Sequence, residues 1–485
     1  MDPMITDRKL SDLVSEYDSV EAPDSNKNSS CTTSGSEPMS RCRILKNLFV
    51  LSFCYCLFYT GFWALTNLQS TMNAAAGMGP DSQAVIYGFS MLSSLFLPEL
   101  VIDRFGCKTV LVTGTILCLP YIVSNVHLRW DSLLAASALF GLASGPFSAA
   151  LTVYIDEIAL RFERTVTGNV EFIMSCFFGF YTFFMENTQV WGNIVSSLVL
   201  KPETKLHGNI SLPEKCGAVF ETEINGTNAN LVPPSDDERF ILIGIFVGMG
   251  VLALILMVLF LDPLKNDVKG DGCKAIAGRF VVSLKHYKTP HQLLLIPITV
   301  LIGIESALYS NEFTEAYIAC SWGVHHVGFV TVCFGVCGAL MSLLVGPLVK
   351  YISQMAVLIL AAVANVSICI VLFLWDPTPD FKTMYFVIAG VWGMGDAIWW
   401  SQVTALYGLM FPNDREAAFS NLYFWSFLGF FLSYSYANYF TVAVKINILL
   451  CFLFVGMLGY MIGQIKLKSS SRTDYVPIPD GGDSS

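Results

Sequence analysis

Apolar runs of about twenty residues follow one another through most of this chain, and that repetition limits the fold more than any other feature. The runs cover roughly 44–66, 83–102, 109–127, 133–156, 170–199, 240–261, 292–311, 325–349, 355–375, 383–406, 416–438 and 444–464. Each is long enough to cross the roughly 30 Å hydrocarbon core of a bilayer as a helix. No water is available there, so every backbone N–H and C=O must be paired within the segment. The reading is therefore an all-α, polytopic membrane protein with about twelve transmembrane helices and the lipid bilayer as its first partner. The fifth run reads either as one long helix or as a helix plus a re-entrant piece. Composition agrees: only 14% of the 485 residues are charged, against about 25% in soluble domains. Basic residues form no stripe, which excludes nucleic acid as a partner.

Charge sets the expected orientation. With both tails inside, about 21 of the 28 lysines and arginines fall on the cytoplasmic side, a clear positive-inside bias. The segment 1–43 reads as a polar cytoplasmic tail, and 466–485 as a second one. The hydrophilic loop 200–239 then falls outside, and its sequons at Asn209 and Asn225 are expected to be glycosylated. A basic segment, 262–291, falls inside and separates a first six-helix half (44–261) from a second (292–465). Two such halves joined by a cytoplasmic linker form the architecture of the major facilitator superfamily. The expected location is the plasma membrane, with an endosomal or lysosomal membrane as the alternative.

Three acids stand out because they lie deep in apolar runs: Glu186, Glu305 and Asp396. An uncompensated charge at that depth costs roughly 2.5–3.5 kcal/mol even on the lenient insertion scale. No lysine or arginine is expected at matching depth. The carboxyls must then be protonated, hydrogen-bonded, wetted by a cavity or bound to a cation. Around Asp396 the tenth run carries Trp392, Trp399, Trp400, Gln402 and Tyr407, which are expected to form a cavity wall or to fill the space where the halves meet. Gly141, Gly145 and Pro146 in the fourth run suit close helix approach and a bend.

Between the second and third runs, Asp103, Arg104, Gly106 and Lys108 stand in the order D-R-F-G-C-K. A charged turn or a cytoplasmic latch between the halves would both use such a cluster. The tail segment Tyr475-Val476-Pro477-Ile478 has the form of a tyrosine-based sorting signal. Most cysteines lie inside apolar runs; Cys216 and Cys320 should reach an oxidising face, where they could pair. No metal-ligand spacing, phosphate-binding loop or nucleophile motif occurs, so neither a cofactor nor an enzymatic activity is expected.

Several of these motifs together resemble the uncoordinated-93-like (unc-93-like) family of the major facilitator superfamily. They are W-G-x-x-D-A-x-W-x-x-Q-x-x-A-L-Y-G at Trp392–Gly408, I-G-x-E at Ile302–Glu305, Tyr87-Gly88, D-R-F-G-C-K, and Val190-Trp191-Gly192-Asn193. One departure falls in the fourth run, where Phe147-Ser148-Ala149-Ala150 replaces a W-x-A-Q segment. The resemblance implies an accessory or regulatory subunit of an ion channel, with a two-pore-domain potassium channel as the expected partner. Two alternatives stay open: a proton- or ion-coupled carrier of a small solute using Glu305 and Asp396, and a trafficking escort for membrane receptors.

Overall fold

A computed structural model describes residues 39–72, 78–127, 129–165, 170–200, 216–220, 235–264, 290–411 and 415–473. Asn209, Asn225, most of 262–291 and the segment 475–478 lie outside these residues. Twelve long helices follow in order among the described residues. The first six are α1 (Arg41–Met72), α2 (Met78–Phe96), α3 (Pro98–Ser124), α4 (Trp130–Glu163), α5 (Val170–Val199) and α6 (Asp236–Phe260). Next, α7 runs over Pro290–Ala307, widens into a π-helix at Leu308–Ala319 and closes with Cys320–Trp322. The last five are α8 (Val324–Tyr351), α9 (Gln354–Leu374), α10 (Lys382–Met410), α11 (Arg415–Ser435) and α12 (Val442–Thr473). The fifth run is thus a single helix. The first helix starts before residue 44 and the last continues past 465.

The main helix pairings repeat with an offset of six. In the first half α1 packs on α5 and α6, and α4 on α2 and α3; in the second α7 packs on α11 and α12, and α10 on α8 and α9. The halves meet mainly where α5 runs along α8 and α2 along α11. Eight helices among the described residues are apolar and long enough to span a membrane on composition alone: α1, α3, α4, α6, α7, α8, α9 and α12. The four that fall short, α2, α5, α10 and α11, carry polar groups inward. Glycine allows the closest contacts. A Cβ on Gly303 would lie 2.1 Å from the Ser426 carbonyl, and one on Gly429 would lie 2.2 Å from that of Val300, so α7 and α11 touch backbone to backbone. Gly141 likewise sits against the Ile86 carbonyl of α2.

The end of the bundle that leads into 262–291 is here called the linker end. Asp262, just past α6, binds back to α1 there. Its carboxylate accepts from Arg43 (2.7 Å), Lys46 (2.8 Å) and Asn47 (3.1 Å). Partial burial alone would raise its pKa. The three donors outweigh that and hold the carboxyl well below the usual range. A depressed folded-state pKa adds stability that is present above the unfolded value of about 3.9 and lost as pH falls through the folded one. Arg43 and Lys46 are half-exposed, so screening limits the effect. Asp262→Ala is expected to cost about 1 kcal/mol, read as a fall in thermal unfolding temperature at pH 7 that shrinks below pH 4.

The D-R-F-G-C-K cluster is not a free loop. It lies within α3, which starts with Pro98 in its first turn and bends at Gly106 (φ 75°, ψ 156°). A Cβ at Gly106 would meet nothing within 4 Å, so the backbone angle, rather than space, calls for glycine here. Lys108 donates to the Val258 carbonyl at the end of α6 (2.9 Å), and the Arg104 guanidinium lies 5.9 Å from the Phe105 ring centre. The Lys108 contact ties α3 to α6 within the first half, and that of Arg104 is with its neighbour in sequence.

At the opposite end, Cys216 and Cys320 form a disulfide. It joins the loop between α5 and α6 to the last turn of α7. The short 3₁₀ turn Gly217–Val219 follows, and the Val442 N–H donates to the Phe220 carbonyl (3.3 Å). A piece of the first half's loop is thereby seated on the second half.

Candidate functional site

A cavity of about 100 Å³ lies between the halves, with room for several waters. Its walls come from α1, α2, α4, α5, α7, α8, α10 and α11. None of α3, α6, α9 and α12 contributes, and those four present much of their apolar surface outward. All four helices too polar to span on composition alone, α2, α5, α10 and α11, are cavity helices. In α5 and α10 several of the polar side chains meet the hollow, among them Glu186, Gln189, Asp396, Ser401 and Thr404, while those of α2 such as Gln83, Ser90 and Ser94 are buried against other helices.

The acids converge here from three helices. Glu186 (α5) and Asp396 (α10) line the cavity, and Glu305 (α7) lies behind Asp396. Ser306 donates to Asp396 Oδ1 at 2.7 Å. Glu305 is fully buried beside Asp396 and Trp392, yet neither of its oxygens makes a well-formed hydrogen bond. Glu186 is 2% exposed, and its Oε1 has no hydrogen-bond partner. Its carboxylate crosses to the other half, where a Cβ on Gly338 of α8 would stand 2.6 Å from Oε2. Glycine there leaves the space that the carboxylate fills. No lysine, arginine or histidine is among the lining residues. Among the described residues no cluster of histidine, cysteine, aspartate or glutamate could hold a metal ion.

The cavity face of α10 is Asp396, Trp400, Ser401 and Thr404. Of the five residues expected on that wall, only Trp400 is on it. Trp399 and Gln402 are turned away around the helix. Trp399 is fully buried, and Gln354 of α9 donates to Gln402. Trp392 and Tyr407 share the azimuth of Asp396 but lie at other depths. Trp392 packs against Tyr309 and Phe313, and Tyr407 bonds to Gln292 and Thr299 (both 3.0 Å). These four serve packing within the second half.

Sequence reasoning missed the aromatic wall opposite. Tyr55 and Tyr59 stack at 4.3 Å, Tyr181 meets Tyr55 edge-on at 5.1 Å, and Trp63, Tyr87 and Tyr423 complete it. The i, i+4 spacing of Tyr55 and Tyr59 was the available signal, hidden among the many aromatics of α1. Side chains also bridge the halves on both sides of the cavity. Towards the linker end, Tyr423 of α11 and Thr152 of α4 share a hydrogen bond of 2.8 Å. Towards the loop end, Tyr87 of α2 stacks on Phe430 (4.3 Å) and Tyr434 (5.7 Å) of α11, and Asn438 donates to Asp81 (3.3 Å).

A further ion pair corrects the charge map. By position in the sequence Glu312 falls just past the seventh apolar run and Lys445 at the start of the twelfth, where each would meet water. Instead both are buried, with Lys445 Nζ 2.6 Å from Glu312 Oε1 and 2.6 Å from the Ala437 carbonyl. The π-helical winding of α7, in which the Cys320 N–H reaches back five residues to the Glu315 carbonyl, buries all twelve of its residues, Glu312 included.

Comparison with known proteins decides the lineage. Residues 69–461 match the family model described as "Ion channel regulatory protein UNC-93". The chain belongs to the UNC-93 family. "Protein unc-93 homolog A" of Xenopus laevis is 35% identical over 426 residues, covering 86% of this chain and 92% of that protein. The "Putative potassium channel regulatory protein unc-93" of Caenorhabditis elegans is 28% identical over 429 residues, or 86% of this chain and 61% of the worm protein. In fold, the UNC-93 chain resembles the xylose transporter XylE from E. coli in its partially occluded inward-open conformation. That match has a TM-score of 0.58 and 13% identity, over 91% of this chain and all of that one. The architecture is thus that of the major facilitator superfamily, in a multi-pass membrane protein.

Proposed function

We propose that this protein is a non-enzymatic accessory subunit that regulates a potassium channel, a two-pore-domain channel being the expected partner. The observation that carries this reading is kinship along nearly the whole membrane domain with a family described as ion channel regulators, including a worm protein named for potassium channels. The surface is compatible with a membrane partner. α6 exposes Phe240, Ile241, Ile255, Leu259 and Phe260, an apolar face that lipid or another protein's helices can cover. The plasma membrane is its proposed location, with both termini cytoplasmic. Co-expression with epitope-tagged two-pore-domain channels, followed by mild solubilisation and affinity capture, tests the reading. Stoichiometric co-purification is expected. Capture no greater than with an unrelated twelve-helix protein would refute it.

A second reading, an ion-coupled carrier, is favoured by one observation: three carboxyls gather at a cavity between two halves without a basic partner. Uptake into proteoliposomes would then depend on a proton gradient and fail in Asp396→Asn. Gradient-independent uptake, or uptake unchanged in that variant, would sink the carrier reading.

A further inference from the structure

The cavity pairs its acids with an unusual wall. Glu186 and Asp396 face Tyr55, Tyr59, Tyr181 and Trp400, and no cationic side chain lines the space. Tyr55 lies within electrostatic range of Glu186, and its ring contacts both Tyr59 and Tyr181. Protons alone would neutralise the carboxyls, yet they would give no reason for rings to crowd around them. A hard metal cation would need about six oxygen ligands, and among the described residues no group of three or more histidine, cysteine, aspartate or glutamate side chains could hold one. Rings with negative faces next to a carboxylate lacking a hydrogen bond on one oxygen match a different ligand. An organic ammonium ion carries one diffuse positive charge on an apolar body. Aromatic faces attract it through the ring quadrupole, and that attraction strengthens when water is excluded.

We propose that the cavity is a binding site for a small organic cation, a protonated amine or a quaternary ammonium. Glu186 is its counter-ion, and Tyr55, Tyr59, Tyr181 and Trp400 form its cage. Asp396, held by Ser306, lies on the opposite helix wall and adds negative potential. Gly338 leaves room for the Glu186 carboxylate to reach the interface of the halves. Such a ligand would touch both halves at once and so bias their relative arrangement. The inference goes beyond channel regulation. It holds whether the bound ion is carried across the membrane or only sensed.

The test uses the full-length protein in lipid nanodiscs. Tetramethylammonium and choline are titrated as chloride salts and followed by calorimetry and thermal unfolding. The uncharged isostere of choline, 3,3-dimethyl-1-butanol, and sodium and potassium chloride are titrated in parallel. Saturable binding of an ammonium ion is expected, with no matching response to the isostere or the alkali ions. Glu186→Gln keeps the side-chain shape and should weaken binding by about tenfold or more. Trp400 is only partly buried, and Trp400→Leu should weaken binding by about threefold or more. Absence of binding by both ammonium ions, equal binding of the isostere, or equal competition by sodium or potassium would each overturn the proposal. Unchanged affinity in a folded Glu186→Gln protein would overturn it too. The comparison of choline with its isostere uses the unaltered protein, so it decides the matter even where a variant misfolds.

Discussion

Replacing Lys445 with methionine should destabilise the bundle by about 3–5 kcal/mol, the usual cost of stranding one member of a buried ion pair. Lys445 is 1% exposed and Glu312 is 3% exposed. Without the ammonium, Glu312 Oε1 keeps only the Asn311 amide (2.8 Å), and Oε2 has no hydrogen-bond partner to compensate. The Ala437 carbonyl loses its donor as well. A protein of ordinary stability has about 5–15 kcal/mol in all, so the single variant should unfold at a much lower temperature or fail to accumulate. The double variant Lys445→Met/Glu312→Gln removes both charges yet keeps an acceptor for Asn311. It should recover most of the loss, because a neutral, well-packed replacement of a buried pair is often near neutral. Thermal unfolding of the wild type, both singles and the double closes the cycle. Equal instability of the single and double variants would mean that the pair itself is not what holds this end together.

The disulfide should have the second largest effect. Cys216 and Cys320 are 104 residues apart in sequence, and closing a loop of about that length is worth up to about 4.7 kcal/mol in the chain-entropy limit. A membrane protein's unfolded state keeps helical segments, so the common measured range of about 2–4 kcal/mol is the better expectation. Cys320→Ser should lower the unfolding temperature, and reductant should then have no further effect on it. Reduction should also loosen the segment 216–220, whose Gly217 lies against Pro377 and whose Phe220 carbonyl holds the start of α12. Faster proteolysis around residue 216 under reducing conditions would report that. A wild type indifferent to reductant would show that the seated loop is held by packing alone.

These two sites show what the sequence could and could not disclose. The twelve helices were legible because apolar runs mark each of them, although only eight are apolar enough to span on composition alone. The family was legible because its motifs lie on several helices at fixed spacing. The Lys445–Glu312 pair was not legible because a count of basic residues assigns each to a side by its distance from a span and says nothing of which side chains are buried together. Such a count cannot see a π-helical stretch of α7 that draws Glu312 inward. The cavity wall was half legible. Asp396 and Trp400 share a face at i, i+4, but azimuth alone cannot give depth, so Trp392 and Tyr407 were expected beside them. Nor could a helical wheel of α10 reveal that the opposing wall is made of tyrosines from α1 and α5. The convergence of Glu186, Glu305 and Asp396 depends on how helices from both halves pack, and no local pattern encodes it.

The same packing gives the acids their meaning. Three carboxyls that looked like separate anomalies gather in one place: Glu186 and Asp396 line the hollow, and Glu305 lies behind Asp396. A regulatory subunit and a carrier can both be built on such a frame, since a two-half bundle with a ligand at its seam has more than one arrangement to offer a partner.

The most direct test of the regulatory reading is whole-cell potassium current from a two-pore-domain channel expressed with and without this protein, divided by the amount of channel at the cell surface. A current per surface channel that changes severalfold, and returns to the control level when this protein is removed, is the predicted result. An unchanged current per channel across the two-pore-domain channels would contradict the account.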